Sequence, residues 1–163
     1  MKTLLKITSY LFVVLMFSTS SCRKLPHGDH SFYCYIDGEL FVPKGNTRIS
    51  TSPYEDGYIF YKQDDHTTVI AKDFKKYTVF FNTTSRVLGK HFLKNSSGSF
   101  YDYDVNHAIV RVNGIKYLSK EGSGYIQYTE SNDENVKGTF EFTLYNENDD
   151  SDVIHVTGGH FDD

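Results

Sequence analysis

The sequence predicts an all-β protein: a single antiparallel β-sandwich of about 8–10 strands, with a lipocalin-like up-and-down barrel as the alternative. Three observations carry this. The apolar runs are short and rich in β-branched and aromatic residues. Clusters of Gly, Asn and Asp separate them, as turns between strands require. No window of helical length repeats its apolar residues every 3.6 positions.

The elements follow in order. Residues 32–36 (FYCYI) and 40–42 flank Asp37-Gly38, a pair suited to a type I′ hairpin because both positions tolerate positive φ. Residues 58–62 (YIFYK) and 67–72 (TTVIAK) flank a polar QDDH turn. The stretch 77–82 (YTVFFN) is apolar on both faces, which suits a central strand or a barrel wall whose outside is covered. Residues 72–77 have room for one helical turn at most. Residues 87–93 bend at Gly89, and 100–103 is a short strand. A second hairpin joins 107–112 and 115–118 through Asn113-Gly114. Strands at 124–129, 138–145 and 153–161 complete the series. In 138–145, Phe140, Phe142 and Leu144 share one face, while Thr139, Glu141 and Thr143 share the other. The loop 146–152, polar throughout, is expected at a solvated tip.

The beginning of the chain is of another kind. Lys2 and Lys6 precede the apolar run LFVVLMF, and Ser18, Thr19, Ser20 and Ser21 lead to Cys22. This is the form of a signal peptide, residues 1–21. Small residues before a cysteine resemble a bacterial lipobox, although Thr19 stands where Leu is usual. Cys22 is therefore the expected lipidation site, with 22–30 as a short tether and 31–163 as one β domain. The bland reading is cleavage nearby, leaving Cys22 to pair with Cys34. Cleavage before Cys22 removes 21 residues, two of them lysines, and leaves 142 with a formal charge of −6.

Composition narrows the function classes. The whole chain of 163 residues carries a net charge of −4 and has no basic stripe, so nucleic acid is not an expected partner. Phe and Tyr number 13 each, with no Trp, so aromatic rings supply a core that the modest apolar content would otherwise leave thin. Cys34, between Tyr33 and Tyr35, reads as a buried small apolar side chain, not a nucleophile.

The pieces Ile36-Asp37-Gly38, Gly138-Thr139-Phe140-Glu141-Phe142 and Val156-Thr157-Gly158-Gly159-His160-Phe161 resemble small Bacteroidetes lipoproteins that carry a β-rich domain of unknown function. The match is at both ends of the domain and loose from about residue 47 to 119. The resemblance implies an antiparallel β fold and an envelope address, and carries over no site residues.

His155 and His160 are five apart, an odd offset that puts them on opposite faces unless Gly158-Gly159 makes a bulge. Asn146, Asn148, Asp150 and Asp152 alternate oxygen ligands, as do Asp102, Asp104 and Asn106, but neither set has the glycine and glutamate of an EF-hand. No nucleophile motif or phosphate loop is present. Neither a metal site nor a cofactor is therefore expected. Tyrosine is over-represented: Tyr54, Tyr58, Tyr61, Tyr101, Tyr103, Tyr117, Tyr125 and Tyr128 could form platforms for sugars or proteins, or simply fill the core and the strand surfaces.

These readings lead to an outer-membrane lipoprotein facing the periplasm and held to the membrane by its N-terminal lipid. The periplasmic side is expected because Arg23 and Lys24 follow the cysteine and the first acid is Asp29. Its expected role is non-enzymatic, as a binding or assembly module for a protein, small-molecule or carbohydrate partner. The alternatives are a lipocalin-like carrier of an apolar molecule and a β-fold hydrolase.

Overall fold

A computed structural model describes residues 30–43, 57–73 and 76–163. The expected signal peptide, Cys22 and the tether up to Asp29 lie outside the described residues, as does Tyr54. Ten strands form, with no helix among the described residues. They are β1 (Phe32–Ile36), β2 (Glu39–Phe41), β3 (Gly57–Gln63), β4 (His66–Asp73) and β5 (Tyr77–Thr83). Then come β6 (Gly89–Phe92), β7 (His107–Val112), β8 (Ile115–Ser131), β9 (Val136–Asn146) and β10 (Asp149–Asp162). The all-β, antiparallel class is as expected.

All ten strands belong to one sheet, in the order β2-β1-β10-β9-β8-β7-β5-β4-β3, with β6 beside the far half of β8. The sheet curls into a half-barrel. One curled sheet does here what two facing sheets do in a sandwich: its concave side closes on itself. Hairpin chemistry drives the local connections. Asp37 and Gly38 have φ of 49° and 84°, and Asn113 and Gly114 have 51° and 87°, so both pairs adopt the left-handed conformation of a type I′ turn.

Three expectations change. Residues 115–118 and 124–129 are not separate strands but parts of β8. The ladder with β9 shifts register between Ser119 and Gly124, so the glycines make a bulge, not a break. The buried Ser119 hydroxyl donates to Lys94 O and accepts from Ala108 N, which supplies partners where the ladder is disturbed. Residues 100–103 form turns, not a strand. The acidic loop shrinks to a turn at Glu147 and Asn148, because β10 already begins at Asp149.

Aromatic rings fill the concave side. On β9, Phe140, Phe142 and Leu144 point inward and are buried, while Thr139 and Glu141 are exposed. Phe81 from β5 meets Phe140 and Phe161 at 5.0 and 5.5 Å between ring centres. Each such ring contributes roughly 1.5–3 kcal/mol by leaving water. A lipocalin-like carrier would hold its ligand in this space, which the rings occupy. Cys34 is buried among them, and burial pushes its thiol well above the ordinary range.

The two ends of the sheet approach each other through side chains. Lys62 on β3 pairs with Asp163 at 3.0 Å, and Phe60 meets Phe161 at 6.2 Å. At the other end Glu39 on β2 pairs with Lys76 and accepts a 2.8 Å hydrogen bond from the Tyr77 hydroxyl.

Candidate binding cleft

The alternation that sends Tyr58, Val69, Phe81 and Val110 inward sends their neighbours to the outer face of β3, β4, β5 and β7. Backbone register aligns these neighbours in rows. Ile59, Ile70, Phe80 and Ile109 are successive cross-strand partners and make an apolar row. Lys72, Thr78 and Arg111 make a second row on one side of it. Tyr61, Thr68, Asn82 and His107 make a third on the other side. This explains why 77–82 is apolar on both faces: Phe80 is fully buried although it points away from the core.

The cover over Phe80 is the connection between β6 and β7. Phe100 packs edge-on against Phe80, with ring centres 5.0 Å apart. Two buried polar side chains hold this connection by its backbone. Asn82 donates to Tyr103 O at 3.1 Å and Val105 O at 3.0 Å, and its own oxygen accepts from the Thr68 hydroxyl at 2.9 Å. The His107 ring nitrogens lie 3.2 Å from Val105 O and from Ser99 O. Residues 99–105 are therefore seated on the sheet by side chains that reach up from it.

Between this connection and the β3–β4 hairpin lies a cleft of about 1080 Å³. Its floor is Ile59, Ile70 and Phe80 of the apolar row. Tyr61, Tyr101 and Tyr103 stand around it, 52%, 81% and 45% exposed. Lys72, Lys76 and Arg111 lie toward one end, and Gln63, Asp64 and His66 toward the other. From His66 to Lys72 the strand rise gives a length of about 20 Å. Lys76 is engaged by Glu39, and that hydrogen bond raises its pKa above the ordinary lysine value. The Arg111 guanidinium lies 4.8 Å over the Phe100 ring, and no carboxylate among the described residues pairs with it.

The expected tyrosine set divides. Tyr58, Tyr117 and Tyr128 are buried, so the core-filling reading describes them. Tyr125 is half-buried beneath the Lys90 ammonium. Of the described members of the set, only Tyr61, Tyr101 and Tyr103 come together at an opening. Arg111, Asn82 and the apolar row were not singled out from the sequence. The two-sided apolarity of 77–82 was the available signal.

Several members of the other candidate groups have structural partners. A register shift between Val156 and Gly159 does bulge β10, and His155 and His160 pair with Thr143 and Thr139. They therefore share a face, but about 13 Å apart by strand rise. Asn146 donates to Asp152 at 2.7 Å, Asp149 accepts from Ser151, and Asp150 pairs with Lys120. Asn106 accepts from the Thr84 backbone at 2.8 Å. Among the described residues no group of three or more His, Cys, Asp or Glu is placed to hold a metal.

A family model described as a domain of unknown function (DUF6252) matches residues 56–163. The match takes in all of the cleft strands and leaves out β1 and β2, which complete the same sheet. No curated protein matches the chain, and no solved structure does.

Proposed function

We propose, for a chain that belongs to the DUF6252 family, a role as a non-enzymatic binding module of the bacterial envelope, anchored through Cys22 to the outer membrane and facing the periplasm. Its ligand is an extended saccharide lying in the outer cleft. The observation that carries this reading is the group of three exposed tyrosines around a long opening with an apolar floor. A sugar ring has an apolar face that stacks on an aromatic ring and a rim of hydroxyls that needs donors and acceptors. Gln63, His66 and Thr78 supply such groups beside the aromatic surface. The arrangement is also preformed, because Asn82 and His107 fix the Tyr101–Tyr103 connection, and that lowers the ordering cost of binding.

Affinity electrophoresis through gels containing soluble polysaccharides tests the binding. Retardation of the full chain, lost in the Tyr61→Ala, Tyr101→Ala double variant, is the expected result. Retardation unchanged in that variant would move the ligand elsewhere. The address is tested separately. Cys22→Ser should move the protein to soluble fractions or leave the precursor uncleaved, and proteinase added to intact cells should spare the anchored domain.

A further inference from the structure

We infer that the cleft selects an acidic saccharide, with a carboxylate or sulfate seated on the Lys72–Thr78–Arg111 row; this deepens the proposed function and rests on it. The row is fixed by backbone register. Lys72 is the direct partner of Thr78, and Thr78 is the direct partner of Arg111, so two cations flank one hydroxyl on the same face of three adjacent strands. Directly opposed side chains on neighbouring strands stand about 4.5–5.5 Å apart at Cβ. An anionic group on the exposed Arg111 guanidinium is therefore within reach of the Thr78 hydroxyl, and the buried Lys72 adds positive charge behind it.

Arg111 is the cation available to a ligand. Its guanidinium is stacked over Phe100, which orients the plane without neutralising the charge. The third cation at this end, Lys76, is taken by Glu39, and Asp73 is the acid nearest the row in sequence. The remaining acids of the cleft, Asp64 and Asp104, lie in the β3–β4 turn and the β6–β7 connection, away from the row. An anion at the far end would meet those carboxylates, so the polarity of the cleft also fixes the direction of the chain. The ring next to the anionic group would lie over the half-buried Ile70, in the neighbouring row.

The test is an immobilised glycan array holding matched pairs of oligosaccharides, each with and without its carboxylate or sulfate, probed with the labelled full chain in detergent. Wild type should favour the acidic member of the pairs by about tenfold or more, the worth of a charge-assisted hydrogen bond. Arg111→Gln should erase that preference while keeping capture of neutral members, which also reports that the variant is folded. Arg111→Lys should keep it. Equal capture of both members by wild type, a preference that survives Arg111→Gln, or one lost in Arg111→Lys would each overturn the acidic assignment. In those cases the saccharide reading still stands if Tyr61→Ala, Tyr101→Ala abolishes capture. No capture of any glycan by wild type would remove both.

Discussion

Phe140 lies directly across the β9–β10 ladder from Gly159, and its ring occupies the space that a side chain on Gly159 would need. A Cβ there would stand 2.4 Å from the Phe140 ring. The arrangement repeats at the next inward pair: Phe161 opposes Gly138, where a Cβ would stand 2.4 Å from its Cζ. The missing side chains let both rings lie against the opposite strand and meet Phe81 at the centre of the curl. The glycines of the two C-terminal motifs are thus part of the core packing.

Gly159→Ala should therefore destabilise the domain by about 1–3 kcal/mol through overpacking. Gly138→Ala should cost more, because its Cβ would also stand 2.3 Å from the Gln127 backbone oxygen, which cannot swing aside as a ring can. Urea denaturation of both variants checks the order. A Gly138→Ala protein as stable as wild type would mean that the strands separate freely at this point.

Phe142 and Asp150 form a second contrast on the same hairpin. Phe142 is buried, stacked 5.0 Å from Phe140 and edge-on to Phe81. Its truncation to Ala should cost roughly 3–5 kcal/mol, a large share of the 5–15 kcal/mol typical of a domain. Asp150 is exposed and, among the described residues, pairs with a solvated lysine, so Asp150→Ala should fall within about ±0.5 kcal/mol. Thermal melts of the two variants side by side give the comparison, and a more damaging Asp150→Ala would make the tip a structural ion site.

The seam between β2 and the start of β5 should carry a pH signature. The Lys76 hydrogen bond, and after it that of Tyr77, holds the Glu39 carboxyl below the ordinary carboxylate range. Its contribution to stability is present above that range and is lost as pH falls through the lowered folded value. Lys76 is the mirror case. Its pKa is raised, so its contribution is present below the ordinary lysine value and lost as pH rises through the folded one. Melting temperatures of wild type and Glu39→Gln should differ at neutral pH and converge in acid. Parallel curves throughout would show that the pair contributes nothing to closing the seam.

Local turn chemistry was legible in the sequence. Asp37-Gly38 and Asn113-Gly114 announce their hairpins because positive φ at two successive residues is a demand few residue pairs meet. The inward face of β9 was legible for a similar reason, since strict alternation leaves one assignment. Contacts distant in sequence were not. Residues 100–103 have the composition of a strand, yet Asn82 holds the backbone at Tyr103 and His107 holds it at the flanking Ser99, and no local pattern links either side chain to them. Gly122 and Gly124 read as a break in 115–131. They became a bulge because Gly122 N donates to Leu93 O and Leu93 N donates to Gly124 O. The cleft depends on the register of four strands at once, so Arg111 gave no sign of facing Thr78.

The two cysteines allow the anchor and the core to be tested together. Cys34 is fully buried, and burial raises its thiol pKa, so the reactive thiolate is scarce in the folded state. A disulfide-exchange reagent should leave folded protein unlabelled and react only as the domain opens. Under the proposed anchor the Cys22 sulfur is bound to diacylglycerol as a thioether and has no S–H to react. Protein extracted from its own envelope and then denatured should therefore show one titratable thiol per chain, not the two its sequence contains. Cys34→Ala should show none. Two thiols in the denatured wild type, or one in Cys34→Ala, would refute lipidation at Cys22, and rapid labelling of the folded chain would refute the buried position of Cys34.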